Sequence, residues 1–121
     1  MQEQFVTYEI ALKLKELGFD EKCLGYYAGD HLILSVRQQY YPNKVTKAPL
    51  WQQVIDWFEK QGLIVYCNMV ITMHWEYHIG PAYPPMEEKY GNWIHSQYEY
   101  STRKKAREQA ILKCIELCKK N

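Results

Sequence analysis

A chain of 121 residues, 47% of them hydrophobic, has the size of one domain, residues 1–121, with a buried core of its own. Fifteen Lys and Arg against fourteen Asp and Glu leave a net charge of +1, which excludes the overall basic excess of a dedicated nucleic-acid binder and any long acidic tail. No stretch approaches the roughly 18 consecutive apolar residues of a membrane helix, and the polar start Met1–Gln4 carries no basic leader, so a cytoplasmic chain without membrane contact is expected.

The first element reads as a helix from Tyr8 to Leu17, with Thr7 as N-cap, Val6 and Ala11 placed to form a hydrophobic staple, and Gly18 as the left-handed stop. Ile10, Leu14 and Leu17, with Ala11 beside them, form its inner face. Two short runs, Cys23–Tyr27 and His31–Val36, flank Ala28-Gly29-Asp30 and predict a hairpin. The stretch from Arg37 to Lys47 reads as a loop. Pro49 suits the first position of a second helix and Gly62 its C-terminal cap; Leu50, Trp51, Val54, Ile55, Trp57 and Phe58 share one broad apolar side.

Leu63–Cys67 is apolar on both parities and predicts an inner strand. Ile71 to Ile79 then alternates, with Met73, Trp75 and Tyr77 on the side of the isoleucines and Thr72, His74, Glu76 and His78 on the other. The economical connection is a turn through Asn68. Gly80–Asn92 reads as a long exposed loop, Trp93–Tyr100 as a last strand, and Thr102–Lys119 as a helix with Ser101 as cap. This order predicts an α+β fold: a small antiparallel sheet of four to five strands with about three helices packed mainly on one face.

Four patterns could carry chemistry. Cys114 and Cys118, four apart on a helix, share a face and could supply two metal ligands, or could be small buried hydrophobes. His74, Glu76 and His78 stand in a row on one strand face; a metal or acid–base site would need His31, His95 or Glu99 to converge on them, and the plain alternative is the solvent side of an amphipathic strand. Residues 101–121 hold seven Lys and Arg against two acids, and Arg103, Lys104, Lys105 and Arg107 crowd the start of the last helix, where its dipole disfavours cations. An anion there would account for them, either a phosphate or a carboxylate from Glu87, Glu88 or Glu99. Arg37, Tyr40, Tyr41, Lys44 and Lys47 combine cations with adjacent rings, the ingredients of base stacking and backbone attraction. No phosphate loop, nucleophile elbow or paired-cysteine motif is present, so neither a cofactor nor a catalytic residue is expected.

Phe5–Phe19, Cys23–Tyr27, Ala48–Phe58 and Ala106–Leu117 together resemble a family of small uncharacterised proteins encoded in prophages and mobile elements of Bacteroides-type gut bacteria. The resemblance covers about half the chain, mainly the three helices. It implies a bacterial or phage cytoplasmic setting and carries over no activity, cofactor or site residue. The expected function is a non-enzymatic protein-interaction module, engaging another protein or a second copy through exposed aromatics or a strand edge. The alternative is a nucleic-acid-binding accessory protein using the 37–47 loop and the basic start of the last helix.

Overall fold

The computed structural model describes residues 2–34, 45–83 and 86–120. The α+β class holds, but among the described residues the expected single sheet is instead two three-stranded antiparallel sheets. The physical reason lies in two short segments. Thr46–Ala48 supplies the first hairpin with a third strand, and Ile94–His95 does the same for the second, so each hairpin completes its own sheet. The chain clusters into two compact units, Met1–Val54 and Ile55–Asn121.

In the first unit α1 spans Tyr8–Leu17, as its sequence predicts. Thr7 Oγ1 accepts the Ile10 N–H at 3.3 Å, and Gly18 takes φ +98°, its N–H reaching the carbonyls at the helix end. Only glycine adopts that conformation without a Cβ penalty, so the stop is written in the sequence. Strands β1 (Gly25–Ala28) and β2 (His31–Leu34) pair across the turn at Gly29 and Asp30, and β3 (Thr46–Ala48) lies on the other side of β1. Ile10, Ala11 and Leu14 bury the inner side of α1, which packs on β3, and the Tyr27 hydroxyl donates to the Val6 carbonyl. The residues from Ser35 to Lys44, which include the end of the expected hairpin and most of the expected loop, lie outside the described residues.

Helix α2 spans Trp51–Lys60 and runs across the division between the units. Pro49 stands just before it: its carbonyl accepts the Val6 N–H at 3.0 Å, and Leu50 bridges to Phe5, so the chain is still extended at the expected first helical position. Trp51, Val54, Trp57 and Phe58 are buried, and Gly62 follows the helix at φ +101°.

The second sheet has the order β4-β5-β6, with β4 at Leu63–Ile71, β5 at His74–Pro81 and β6 at Ile94–His95. The turn therefore falls at Thr72 and Met73, and not at Asn68; Ile71 belongs to β4 and stands opposite His74. Asn68 stays in the ladder opposite Glu76, because continuous pairing from Leu63 onward satisfies more backbone groups than an early turn would. The expected loop from Gly80 is likewise shorter, since β5 continues to Pro81 and a short helix, α3 (Met86–Tyr90), forms with Glu87 and Glu88 in its first turn. Of the expected last strand only Ile94–His95 is regular, joined by an isolated bridge between Tyr100 and Trp75. Helix α4 spans Arg103–Lys120 and is capped by Thr102, one residue later than Ser101: Thr102 Oγ1 accepts the Lys105 N–H at 3.1 Å. Its buried face, Ala106, Ala110, Ile111, Cys114 and Ile115, packs on β4 and β5.

Candidate interaction surface

Side chains alternate across the β4–β5 ladder, so the sheet has two unlike faces. Leu63, Val65, Tyr77 and Ile79 share the face that α4 covers, and Leu63, Val65 and Ile79 are buried there. Cys67 lies on this face too: burial pushes its thiol above the ordinary value, while Arg103 and Arg107 pull it back. The other face carries Tyr66, Asn68, Glu76, His78 and, on β6, His95.

On that second face the rings are ordered. Tyr66 and His78 are register partners and stack at 4.7 Å with 14° between their planes. Trp93 leans on Tyr66 at 5.8 Å, and its indole lies so close over Gly80 that a Cβ at that position would run into the ring. His95 stands opposite His78 across the β5–β6 pair, ring centres 6.3 Å apart. His78 Nε2 meets Glu76 Oε1 at 2.9 Å, and both side chains are about a quarter exposed, at 22% and 24%. The expected row of His74, Glu76 and His78 is therefore on one face but does not act as one group. His74 turns to Glu99 at 3.4 Å, and His31 lies in the first unit beside Asp30 at 3.7 Å. Among the described residues no three His, Cys, Asp or Glu side chains gather as a metal site. Glu76 and His78 hold each other's orientation, with the Tyr66 ring stacked on the imidazole.

The β4–β5 turn is unusual in its chemistry. Met69, Val70, Ile71 and Met73 are 51%, 44%, 59% and 67% exposed, a continuous apolar tip with only Thr72 between them. Burying such groups is worth about 25 cal/mol per Å² of apolar surface, so leaving four together in water forgoes a sizeable gain. Met73 also takes φ +66°, a conformation that costs an L residue about 1–2 kcal/mol and that Gly or Asn would adopt more readily. This tip was missed in sequence because Ile71 and Met73 fit the alternation of the following strand; two apolar residues flanking Thr72 in a two-residue turn would have been the signal.

Among the expected nucleic-acid or anion ligands, Arg37, Tyr40, Tyr41 and Lys44 lie outside the described residues. Lys47 is on β3 in the first unit, its Nζ 2.9 Å from Asp20 Oδ1 and 3.1 Å from the Asp20 carbonyl. With Lys15, Phe19 and Val45 this pair borders a shallow hollow of about 70 Å³. Arg103, Lys104 and Lys105 are exposed on the first turn of α4, whereas Arg107 is half-buried and held below its ordinary pKa by burial and by Arg103. Cys114 is buried and Cys118 half-buried; burial raises both thiols, and the Tyr90 hydroxyl lies 3.9 Å from Cys118 Sγ. Both therefore belong to the core side of α4, with no third ligand beside them among the described residues. No helix among the described residues is long and apolar enough to cross a membrane. Comparison with protein-family models, with curated proteins and with solved structures found no match.

Proposed function

We propose that this protein is a non-enzymatic protein-interaction module of a phage or mobile element, acting in a bacterial cytoplasm, with the β4–β5 tip as its principal contact. The observation that carries this reading is the exposed run Met69, Val70, Ile71 and Met73, held out by a turn that spends backbone energy at Met73. At Met73 the turn conformation favours Gly or Asn, and Met69, Val70 and Ile71 leave apolar surface in water beside it, so a contact with another molecule gives a physical reason for keeping this run apolar. The setting rests on the sequence resemblance alone.

The test is capture from a Bacteroides-type lysate with the native chain beside a Val70→Glu, Ile71→Glu variant whose circular dichroism is unchanged. A defined protein retained by the native chain and lost by the variant supports the reading; identical retention by both overturns it. A second reading, nucleic-acid binding, is favoured by the exposure of Arg103, Lys104 and Lys105 at the start of α4. It requires an affinity that falls steeply with salt, and Lys104→Ala with Lys105→Ala would flatten that slope by about two phosphate contacts.

A further inference from the structure

The β4–β5 tip and the start of α4 lie at one end of the second unit. Trp75, at the beginning of β5, exchanges both backbone hydrogen bonds with Tyr100, at 2.8 and 2.7 Å, and α4 starts just after it at Arg103. Arg103 and Arg107 act on the Cys67 thiol, so their charge stands at the root of the projecting hairpin. The other end of α4 is far from the tip, where Cys118 meets Tyr90 and the Tyr90 hydroxyl donates to the Gln61 carbonyl. From Cys67 the strand runs on to Ile71, roughly 10 Å once the register shift is allowed for, before it turns at Thr72 and Met73.

The chemistry changes in order along this end. Foremost is the exposed apolar apex, Val70, Ile71 and Met73, with Met69 behind it. Next come the bridged pair Trp75 and Tyr100, both partly exposed. Behind them Arg103, Lys104 and Lys105 are exposed, and residues 101–107 hold four cations and no acid. Glu99, which also reaches this end, has His74 at 3.4 Å, and Glu76 has His78 at 2.9 Å, so each of these acids has an imidazole beside it. The helix dipole disfavours cations in a first turn, which places the reason for their crowding outside the helix.

We infer that this end docks on an anionic lipid bilayer, with the tip entering the acyl boundary and the cations of α4 held at the headgroups. The order apolar, aromatic, cationic repeats the order of layers in such a surface: acyl chains, the interface where Trp and Tyr collect, and anionic headgroups. The length agrees as well, since the tip projects about as far as the roughly 5–10 Å to which interfacial apolar groups enter. Shape is the third point. The apex is a convex turn, and fluid chains close around a projection of any outline, whereas a nucleic-acid backbone would match the cations and leave the four apolar residues in water. A surface contact of this kind needs no spanning helix. It goes beyond the protein contact proposed above, which uses the same tip and does not need the cations.

The experiment is co-sedimentation of the full chain with vesicles, either phosphatidylcholine alone or phosphatidylcholine and phosphatidylglycerol mixed two to one. The native chain is expected to bind the mixed vesicles at least about tenfold more tightly than the neutral ones, and less tightly as salt rises. Val70→Ser with Ile71→Ser changes no charge, and Lys104→Gln with Lys105→Gln changes no apolar group of the tip. All four positions are exposed, so unchanged circular dichroism is expected, and each pair should weaken binding at least about tenfold. A native chain that ignores the mixed vesicles overturns the inference, as does equal binding to both kinds or a loss in the lysine variant alone, which would be adsorption of charge without insertion. Without vesicle binding, a lysate protein retained by the native chain and lost by Val70→Glu, Ile71→Glu sinks the membrane contact and leaves the module standing, and salt-sensitive retention on a nucleic-acid duplex sinks it in favour of the second reading. Vesicle binding that both serine and glutamine pairs abolish, with identical retention of lysate proteins by native and glutamate chains, supports the membrane contact and sinks the module.

Discussion

At the scale of single residues, Gly80 and Cys23 are the informative positions. Gly80 has no Cβ, and the Trp93 indole occupies the space one would need. Gly80→Ala therefore has to displace a large ring from the sheet, and a loss of about 1–3 kcal/mol is expected in urea unfolding. Trp93→Ala together with Gly80→Ala should cost less than the sum of the two, because the clash is then gone.

Burial pushes the Cys23 thiol from its ordinary 9.0 up to about 12, and the Tyr90 hydroxyl rises from 10.0 to about 12 for the same reason. Both groups hold their protons more tightly when folded, so their stabilisation is complete below the unfolded values and fades as pH climbs through the folded ones. The urea midpoint is expected to fall between pH 9 and pH 12, and Cys23→Ala should make that fall shallower. A midpoint independent of pH across that window would contradict the burial of these groups.

At the scale of elements, the two hairpin turns differ. Gly29 holds φ +62° at no steric cost, whereas Met73 holds φ +66° against its own preference. Met73→Gly is expected to raise stability by about 0.5–1 kcal/mol, read as a higher melting temperature, while weakening whatever contact the tip makes. Thr7→Ala removes the cap that accepts the Ile10 N–H and should cost about 1 kcal/mol. Helix α1 was legible to the residue because both of its ends are set by local chemistry, a hydroxyl at Thr7 and a missing Cβ at Gly18. The turn after β4 was misplaced at Asn68 for the converse reason. Asn is a good turn residue in isolation, but nothing local records that Asn68 faces Glu76 and that the ladder continues to Ile71.

At the scale of the whole molecule, the candidate surface depended on which strand faces were covered. The alternation of His74, Glu76 and His78 was visible in the sequence, and the structure keeps all three on one face. Their partners were not visible: Tyr66 from β4, His95 from β6 and Glu99 from the segment before α4 arrive from distant parts of the chain. The basic cluster at residues 103–107 divided in the same way, since only packing of α4 on the sheet decides that Arg107 is half-buried while Arg103, Lys104 and Lys105 are exposed.

What the sequence determined by itself was the α+β class, helix α1 with both caps, and the apolar sides of α2 and α4, because periodicity and capping act within a few residues. Only the tertiary structure decided that the described residues form two sheets and that Met69 to Met73 form an exposed tip. These depend on strand pairing between segments far apart in the chain, and pairing is set by total satisfaction of backbone hydrogen bonds and by which face is covered, quantities no local window of residues contains.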